Sequence, residues 1–176
     1  MRLRLVATLL VAITTLSGCA SIGPTGGIMQ QPLIGPYPAF SGRLLVIEPA
    51  RRWQVGIDWQ AEAPEAGKLR LTHAASGMVV ELAWDHGEMR IRDSQHPEFR
   101  PVALTELQQH GIVVAPWTLA AILLGDMPAT FHPTRPGEWE GHQGGALIRI
   151  VWDAGQRRLT LTDITHGRRA TLLIGT

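Results

Sequence analysis

Cys19 is the only cysteine in the 176-residue chain. Its position in the sequence indicates its chemistry more specifically than the position of any other residue does. Small or aliphatic residues, Leu16-Ser17-Gly18, come directly before it. With no second cysteine there is no disulfide, and a free thiol would be a liability in an oxidising compartment. The pattern therefore indicates a cysteine that is covalently modified.

The residues before Cys19 form a secretory signal. Arg2 and Arg4 open the chain, and an uncharged, largely apolar run of about a dozen residues follows. That run is too short for a transmembrane helix, which needs about 20 apolar residues. Leu16 to Cys19 resembles the bacterial lipobox, after which the cysteine becomes residue one and carries lipid on its sulfur and its amine.

The residue after the predicted acylation site is Ala20 rather than an aspartate. Under the usual bacterial sorting rule, this resembles a lipoprotein sent on to the outer membrane. The predicted location is therefore the periplasmic face of the outer membrane, with attachment through the acyl chains of Cys19. Two buried acyl chains already anchor a protein stably, since each buried CH₂ contributes about 0.8 kcal/mol.

Catalytic motifs are absent from the sequence. It has no Gly-x-Ser-x-Gly, Ser-x-x-Lys or His-Glu-x-x-His pattern. Asp163 and His166 form a local acid–histidine pair, and this spacing favours an ion pair within a turn. A hydrolase would require a distant serine or threonine to converge on that pair. We therefore predict no enzymatic activity, no catalytic residue, no metal site and no cofactor.

Charge excludes a nucleic-acid-binding protein. The whole chain has a formal charge of +1, and without residues 1–18 it has 14 basic against 15 acidic residues, a net charge of −1. No basic stripe is present. We expect a monomer that binds no nucleic acid and meets the membrane through its lipid anchor.

The sequence divides into three segments. Residues 1–18 are the signal peptide, and residues 19–39 contain the lipidated cysteine and an uncharged tether rich in glycine and proline. Such a composition predicts a flexible segment that does not pack, with a span of about 25 Å. Residues 40–176 form the folded domain.

Alternation of apolar and polar residues dominates the domain and predicts β-strands. The clearest case is Trp53, Val55, Ile57 and Trp59, which alternate with polar residues or glycine. Gly-containing turns separate the runs and indicate antiparallel hairpins. Similar runs lie at 69–72, 78–84, 89–92, 147–152 and 159–162, and a further arginine-flanked strand is predicted at 168–174.

Two segments have helical patterns. The first spans 104–110, and the second begins at Pro116, ends at Gly125 and is apolar nearly all round. Such a helix must be buried or must face an apolar ligand. Residues 126–145 predict an irregular crossing. The predicted fold is mainly β (α+β): a curved antiparallel half-barrel sheet with helices packed in its concave face.

The order of these features resembles the LolA/LolB-like family of lipoprotein carriers, in particular its LolB-like outer-membrane receptors. The similarity extends from Phe40 to about Leu161. It includes the opening Phe40-Ser41-Gly42-Arg43-Leu44, the strand ending Trp59-Gln60, and Ile122 to Pro128, which resembles an aliphatic pair followed by Gly, any residue and Pro.

This resemblance implies a hydrophobic cavity that accepts the acyl chains of lipoproteins, delivered by a LolA-like periplasmic carrier. Residues 74–76 occupy the position of a loop that helps to place cargo into the membrane. Ala75 stands there where the family has an exposed leucine. The expected cavity-lining residues are Trp53, Val55, Ile57, Trp59, Leu69, Leu71, Val80, Leu82, Trp84, Ile122 and Leu123, and the expected release loop is Ala74, Ala75 and Ser76.

Two functions remain open at this point. The first is a lipid-anchored protein that binds acyl chains and accepts or localises lipoproteins. The second is a non-transport envelope lipoprotein of the same fold, a structural or interaction module whose tryptophans simply fill the core. A cavity lined by the residues above would favour the first function, and a packed interior would favour the second.

Overall fold

The computed structural model describes residues 32–175. Its elements follow one another with short connections, as the Gly-containing turns predict. The strands are β1 (Ala39–Ile47), β2 (Arg52–Ala63), β3 (Ala66–Thr72), β4 (Val79–Asp85), β5 (Glu88–Asp93), β6 (Arg100–Pro101), β7 (Phe131–Arg135), β8 (Glu138–Gln143), β9 (Ala146–Asp153), β10 (Arg158–Asp163) and β11 (Arg168–Ile174), and the helices are α1 (Leu104–Gln109) and α2 (Pro116–Leu124).

All eleven strands belong to one curved antiparallel sheet, in the order β6-β5-β4-β3-β2-β1-β11-β10-β9-β8-β7. Neighbours in sequence pair antiparallel within β1–β6 and within β7–β11, and the pairing of β1 with β11 joins these two halves. The sheet has two edges, β6 and β7, and is not closed into a barrel. The mainly β architecture predicted from the sequence is confirmed.

One face of the sheet is buried and the other faces solvent, because side chains alternate along each strand. In β2, Val55, Ile57 and Trp59 are at most 8% exposed, whereas Asp58 and Gln60, on either side of Trp59, are exposed. Buried residues from β1 to β5 and from β7 to β11 form one hydrophobic cluster with α2. The predicted placement of the helices in the concave face stays a prediction.

Helix α2 has the predicted bounds. Pro116 occupies its first turn, where a missing N–H costs nothing, and Gly125 ends it in the left-handed conformation with φ of +91°. Ile122 and Leu123 are fully buried. Helix α1 also lies where the sequence predicts a helix, with Leu107 as its buried residue.

The packed part of the described structure begins before Phe40, within the segment predicted to be a tether. Ile34 is only 3% exposed, and the Tyr37 amide donates a 2.8 Å hydrogen bond to the Leu123 carbonyl at the end of α2. The segment 32–38, which we call the strap, packs because it carries these two large side chains among its prolines. The remainder of the predicted tether lies outside the described residues.

Residues 126–145 also differ from the prediction. Instead of an irregular crossing, residues 131–143 form the hairpin β7–β8, with Pro133 opposite Trp139. The proline is tolerated because β7 is an edge strand, where one N–H is not needed for a ladder. Phe131 and Trp139 are the buried aromatic residues of this hairpin.

Candidate functional site

Nine of the predicted cavity-lining residues share one side of the sheet, and the other two, Ile122 and Leu123, lie on α2. Register pairs Trp59 with Leu69 and Leu69 with Leu82, so their side chains form a row across β2, β3 and β4. The second row is formed by Ile57, Leu71 and Val80. The residues that are buried are Val55, Ile57, Trp59, Leu69, Leu82, Trp84, Ile122 and Leu123, and those that are half-buried are Trp53, Leu71 and Val80.

Aromatic rings connect the two halves of this inner face. The Tyr37 ring of the strap lies 5.9 Å from Trp152 and 6.4 Å from Phe40, measured between centroids. Phe40 stacks on Trp59 at 6.2 Å, and Trp59 contacts Trp84 at 5.2 Å. These contacts pack the middle of the inner face in the described state.

Three of the buried tryptophans differ in the hydrogen bonding of their indole N–H groups. Trp84 Nε1 donates to the Pro64 carbonyl at 3.0 Å. Within residues 32–175, Trp59 Nε1 and Trp152 Nε1 are buried and have no hydrogen-bond partner. An unpaired buried donor costs free energy, about 1–3 kcal/mol.

One pocket lies beside α2 and is lined mainly by apolar atoms; we call it the apolar pocket. Its walls are the β2–β3 turn at Pro64, the β4–β5 turn at His86, the side chains of Trp117 and Ala121 on α2, and Pro128. Its volume is about 380 Å³, within the usual range for small-molecule sites. The eleven predicted cavity residues are not part of its walls.

A second pocket, the polar pocket, lies where α1 meets the turns after β8 and β10. Its volume is about 280 Å³, and Gln108, Gln143, Asp163, His166 and Arg168 contribute polar groups to its walls. The eleven residues predicted to line a cavity do not contribute to this pocket either. The interior that they form is packed around α2 and the strap.

Asp163 and His166 form a turn pair inside the polar pocket, as their spacing predicts. Asp163 is 4% exposed, and its Oδ1 accepts the His166 backbone N–H at 2.9 Å. Its Oδ2 lies 2.8 Å from His166 Nδ1. Thr105 of α1 lines the same pocket. Both carboxylate oxygens of Asp163 are thus engaged in holding the β10–β11 turn.

One hydrogen bond connects the residues that line the two pockets. Gln143 of the polar pocket donates from Nε2 to Oγ1 of Thr118, which lines the apolar pocket, at 2.6 Å. The other polar atom of the amide, Gln143 Oε1, is buried and has no partner among the described residues. No feature of the sequence singled out Gln143 or Thr118, because their proximity depends on how the β8–β9 hairpin packs against α2.

The predicted release loop is a tight exposed turn between β3 and β4. Ala74, Ala75 and Ser76 are all exposed, and Met78 beyond them is 47% exposed. The turn is closed by a 2.9 Å hydrogen bond from the His73 amide to the Met78 carbonyl.

Surface contacts lower the pKa of two carboxyl groups, Glu106 and Asp93. Arg100 donates to Glu106 at 2.7 Å, which lowers the pKa of Glu106 and raises that of the arginine. The pKa of Asp93 is lowered because the backbone N–H groups of His96 and Gln95 donate to its carboxylate. Neither carboxyl group belongs to the walls of the two pockets.

Several expected features cannot be placed. Cys19 and the signal peptide lie outside the described residues. Within residues 32–175, no helix has both the length and the apolar composition to span a membrane. The same residues contain no group of three or more histidine, cysteine or acidic side chains placed to hold a metal.

Comparison with known proteins gives a structural similarity and no family assignment. No family model matches the chain, and no curated protein matches it. A crystal structure of a LolA superfamily protein from Nitrosomonas europaea is similar over 82% of this chain and 87% of that chain, with a TM-score of 0.48 and 11% identity. At this level the similarity carries no argument about function, which has to come from the residues described above.

Proposed function

We propose that this protein is a lipid-anchored lipoprotein of the bacterial outer membrane that binds acyl chains and accepts or localises lipoproteins. The observation that carries the proposal is the apolar pocket beside α2, a helix that is apolar on nearly every side. The binding site proposed here is this pocket at the edge of the packed interior, rather than an open cavity in its middle.

Binding in such a pocket follows from the hydrophobic effect. Each CH₂ group of an acyl chain that leaves water contributes about 0.8 kcal/mol, so a few carbons buried against Trp117 and Ala121 give a measurable affinity. Transfer between carriers then needs no catalyst, since a difference of about 1.4 kcal/mol shifts the distribution tenfold. The proposed function is therefore not enzymatic.

The anchor and the delivering partner belong to the same proposal. Cys19 would hold the protein at the periplasmic face of the outer membrane, and Ala20 supports that destination. A LolA-like periplasmic carrier is the proposed source of cargo. The exposed loop 74–76 has no large apolar side chain, so Met78 is the residue of this turn best suited to touch lipid.

The test measures acyl-chain binding by a full chain that carries Cys19→Ala and so cannot be acylated. We expect saturable binding of a fluorescent dodecanoyl probe. Ala121→Leu fills the apolar pocket and is expected to weaken binding about tenfold, because the probe loses buried carbons. The matched control is Ala83→Leu, on the solvent-facing side of β4, which should leave affinity unchanged. Absence of saturable binding would contradict the proposal.

The packed interior favours a second candidate, a structural or interaction module without cargo. Trp59 lies between Phe40 and Trp84, and Ile122 and Leu123 are fully buried. Under this reading Trp59→Ala lowers the free energy of unfolding by about 3–5 kcal/mol. If Trp59→Ala has this cost and the protein binds no acyl chain, the second candidate is correct and the first is wrong.

A further inference from the structure

The contact between Thr118 and Gln143 separates two pockets of opposite character. The apolar pocket has Thr118 in its wall, and the polar pocket has Gln143 in its wall. Their hydrogen bond, 2.6 Å from Nε2 to Oγ1, is the polar contact that joins α2 to the end of β8. A ligand that reached past this contact would have an apolar end in one pocket and a polar end in the other.

The polar pocket is suited to hydrogen bonding rather than to a strong charge. Arg168 is already engaged, since its Nη1 donates to the Gln108 carbonyl at 2.9 Å, and Asp163 is held by His166. Gln108, Gln109 and Gln143 add side-chain amides. Amides both donate and accept, so they complement a neutral polar group such as another amide.

Gln143 Oε1 is the atom that identifies the kind of ligand. It is a buried acceptor without a partner among the described residues, and such an atom is satisfied by an N–H or O–H donor. The torsion of the terminal amide is soft, so the group can turn from Thr118 toward the polar pocket, and the hydrogen bond that Oε1 gains there offsets the one that Nε2 gives up. The oxygen would then face a donor at the junction of the two pockets.

We infer that the two pockets form one site for an amphiphile whose acyl chain is attached through an amide. The chain lies in the apolar pocket, the amide N–H donates to Gln143 Oε1, and the polar remainder occupies the polar pocket. Gln143 is thus a specificity-determining residue that selects acyl amides over acyl esters. This inference rests on the proposed function, since it requires the acyl chain beside α2.

Two probes that differ in one atom test the inference. N-dodecanoyl glycinamide has an N–H next to its acyl carbonyl, and the dodecanoyl ester of glycolamide has an oxygen there. The full chain with Cys19→Ala is titrated with each probe by calorimetry. We expect it to bind the amide about tenfold more tightly, because the ester leaves the Gln143 oxygen unpaired.

Three variants assign the preference to Gln143. Gln143→Met keeps the length of the side chain without its polar atoms and should bind both probes equally. Gln60→Met, the same change at an exposed amide of β2 outside both pockets, should keep the tenfold preference. Thr118→Val removes the contact with α2 but leaves the Gln143 acceptor, so it should also keep the preference; thermal unfolding of each variant confirms that it folds.

The outcomes separate this inference from the function on which it rests. Equal affinity of the Cys19→Ala chain for both probes would overturn the role of Gln143 while acyl-chain binding stands. A preference that survives Gln143→Met would overturn it as well, because the donor would then be met elsewhere. If neither probe binds, both the inference and the proposed function are wrong.

Discussion

At the scale of single residues, Trp59 and Trp84 form a natural comparison. Both are 3% exposed and their rings touch, yet only Trp84 has a hydrogen-bond partner for its indole, the Pro64 carbonyl. Pro64 lies in the wall of the apolar pocket. Trp84 therefore links the buried face of β4 to the turn that shapes this pocket.

This difference predicts unequal costs for the same substitution. Trp84→Phe removes a hydrogen bond and leaves a carbonyl unpaired, whereas Trp59→Phe removes a donor that has no partner in the described chain. The free energy of unfolding should fall about 1 kcal/mol further for Trp84→Phe, as measured by urea denaturation. Equal costs, or a larger cost at Trp59, would show that the hydrogen bond to Pro64 contributes nothing.

At the scale of elements, the strap depends on one close approach of backbones. Gly35 has φ of +89°, and a Cβ at this position would overlap the Leu123 carbonyl oxygen. The absence of a side chain thus lets the strap lie against the end of α2. Ile34 and Tyr37 on either side then reach the hydrophobic cluster.

Gly35→Ala and Gly77→Ala separate two costs of adding a side chain: the conformational cost at positive φ and the steric cost of overlap with Leu123. Gly77 also has positive φ, +66°, but a Cβ there would meet nothing within 4 Å. We expect Gly77→Ala to cost about 1 kcal/mol, the conformational term alone, and Gly35→Ala to cost about 3 kcal/mol or more. Thermal unfolding of the two variants provides the measurement, and equal costs would mean that the strap does not pack against Leu123.

The sequence predicted the strands in which apolar and polar residues alternate strictly. It did not predict the elements whose burial depends on residues that are distant in the sequence. The segment from Trp53 to Trp59 predicts a strand because every second residue is apolar. Residues 131–143 have no such regular pattern. This hairpin lies at the edge of the sheet and buries little beyond Phe131, Trp139 and Gly141, which packs closely against Thr130. Likewise, the contact of Thr118 with Gln143 links positions 25 residues apart and has no local pattern.

At the scale of the whole molecule, the sheet is a single run of eleven strands with β1 in the middle. Its two neighbours are β2, which follows it, and β11, the last strand of the chain. A central strand needs both rows of hydrogen bonds, whereas an edge strand needs one. Proline should therefore be tolerated very differently at the two kinds of position.

Thr171→Pro and Thr134→Pro test this difference. Thr171 lies in β11, paired on both sides with β1 and β10, while Thr134 lies in the irregular stretch of the edge strand β7. We expect Thr171→Pro to cost about 3 kcal/mol or more and Thr134→Pro to cost less than about 1 kcal/mol. Circular dichroism during heating distinguishes the two variants, and similar melting temperatures would contradict the assigned strand order.

The pairing of β1 with β11 sets an order of events while the chain is being synthesised. Hairpins on either side can form as soon as their own residues emerge, because each joins neighbours in sequence. The seam between them cannot close until residue 174 has emerged, because β11 is the partner of β1. Until then, each half of the nascent chain presents an unpaired strand edge, and association with another chain is most favourable at that moment rather than later.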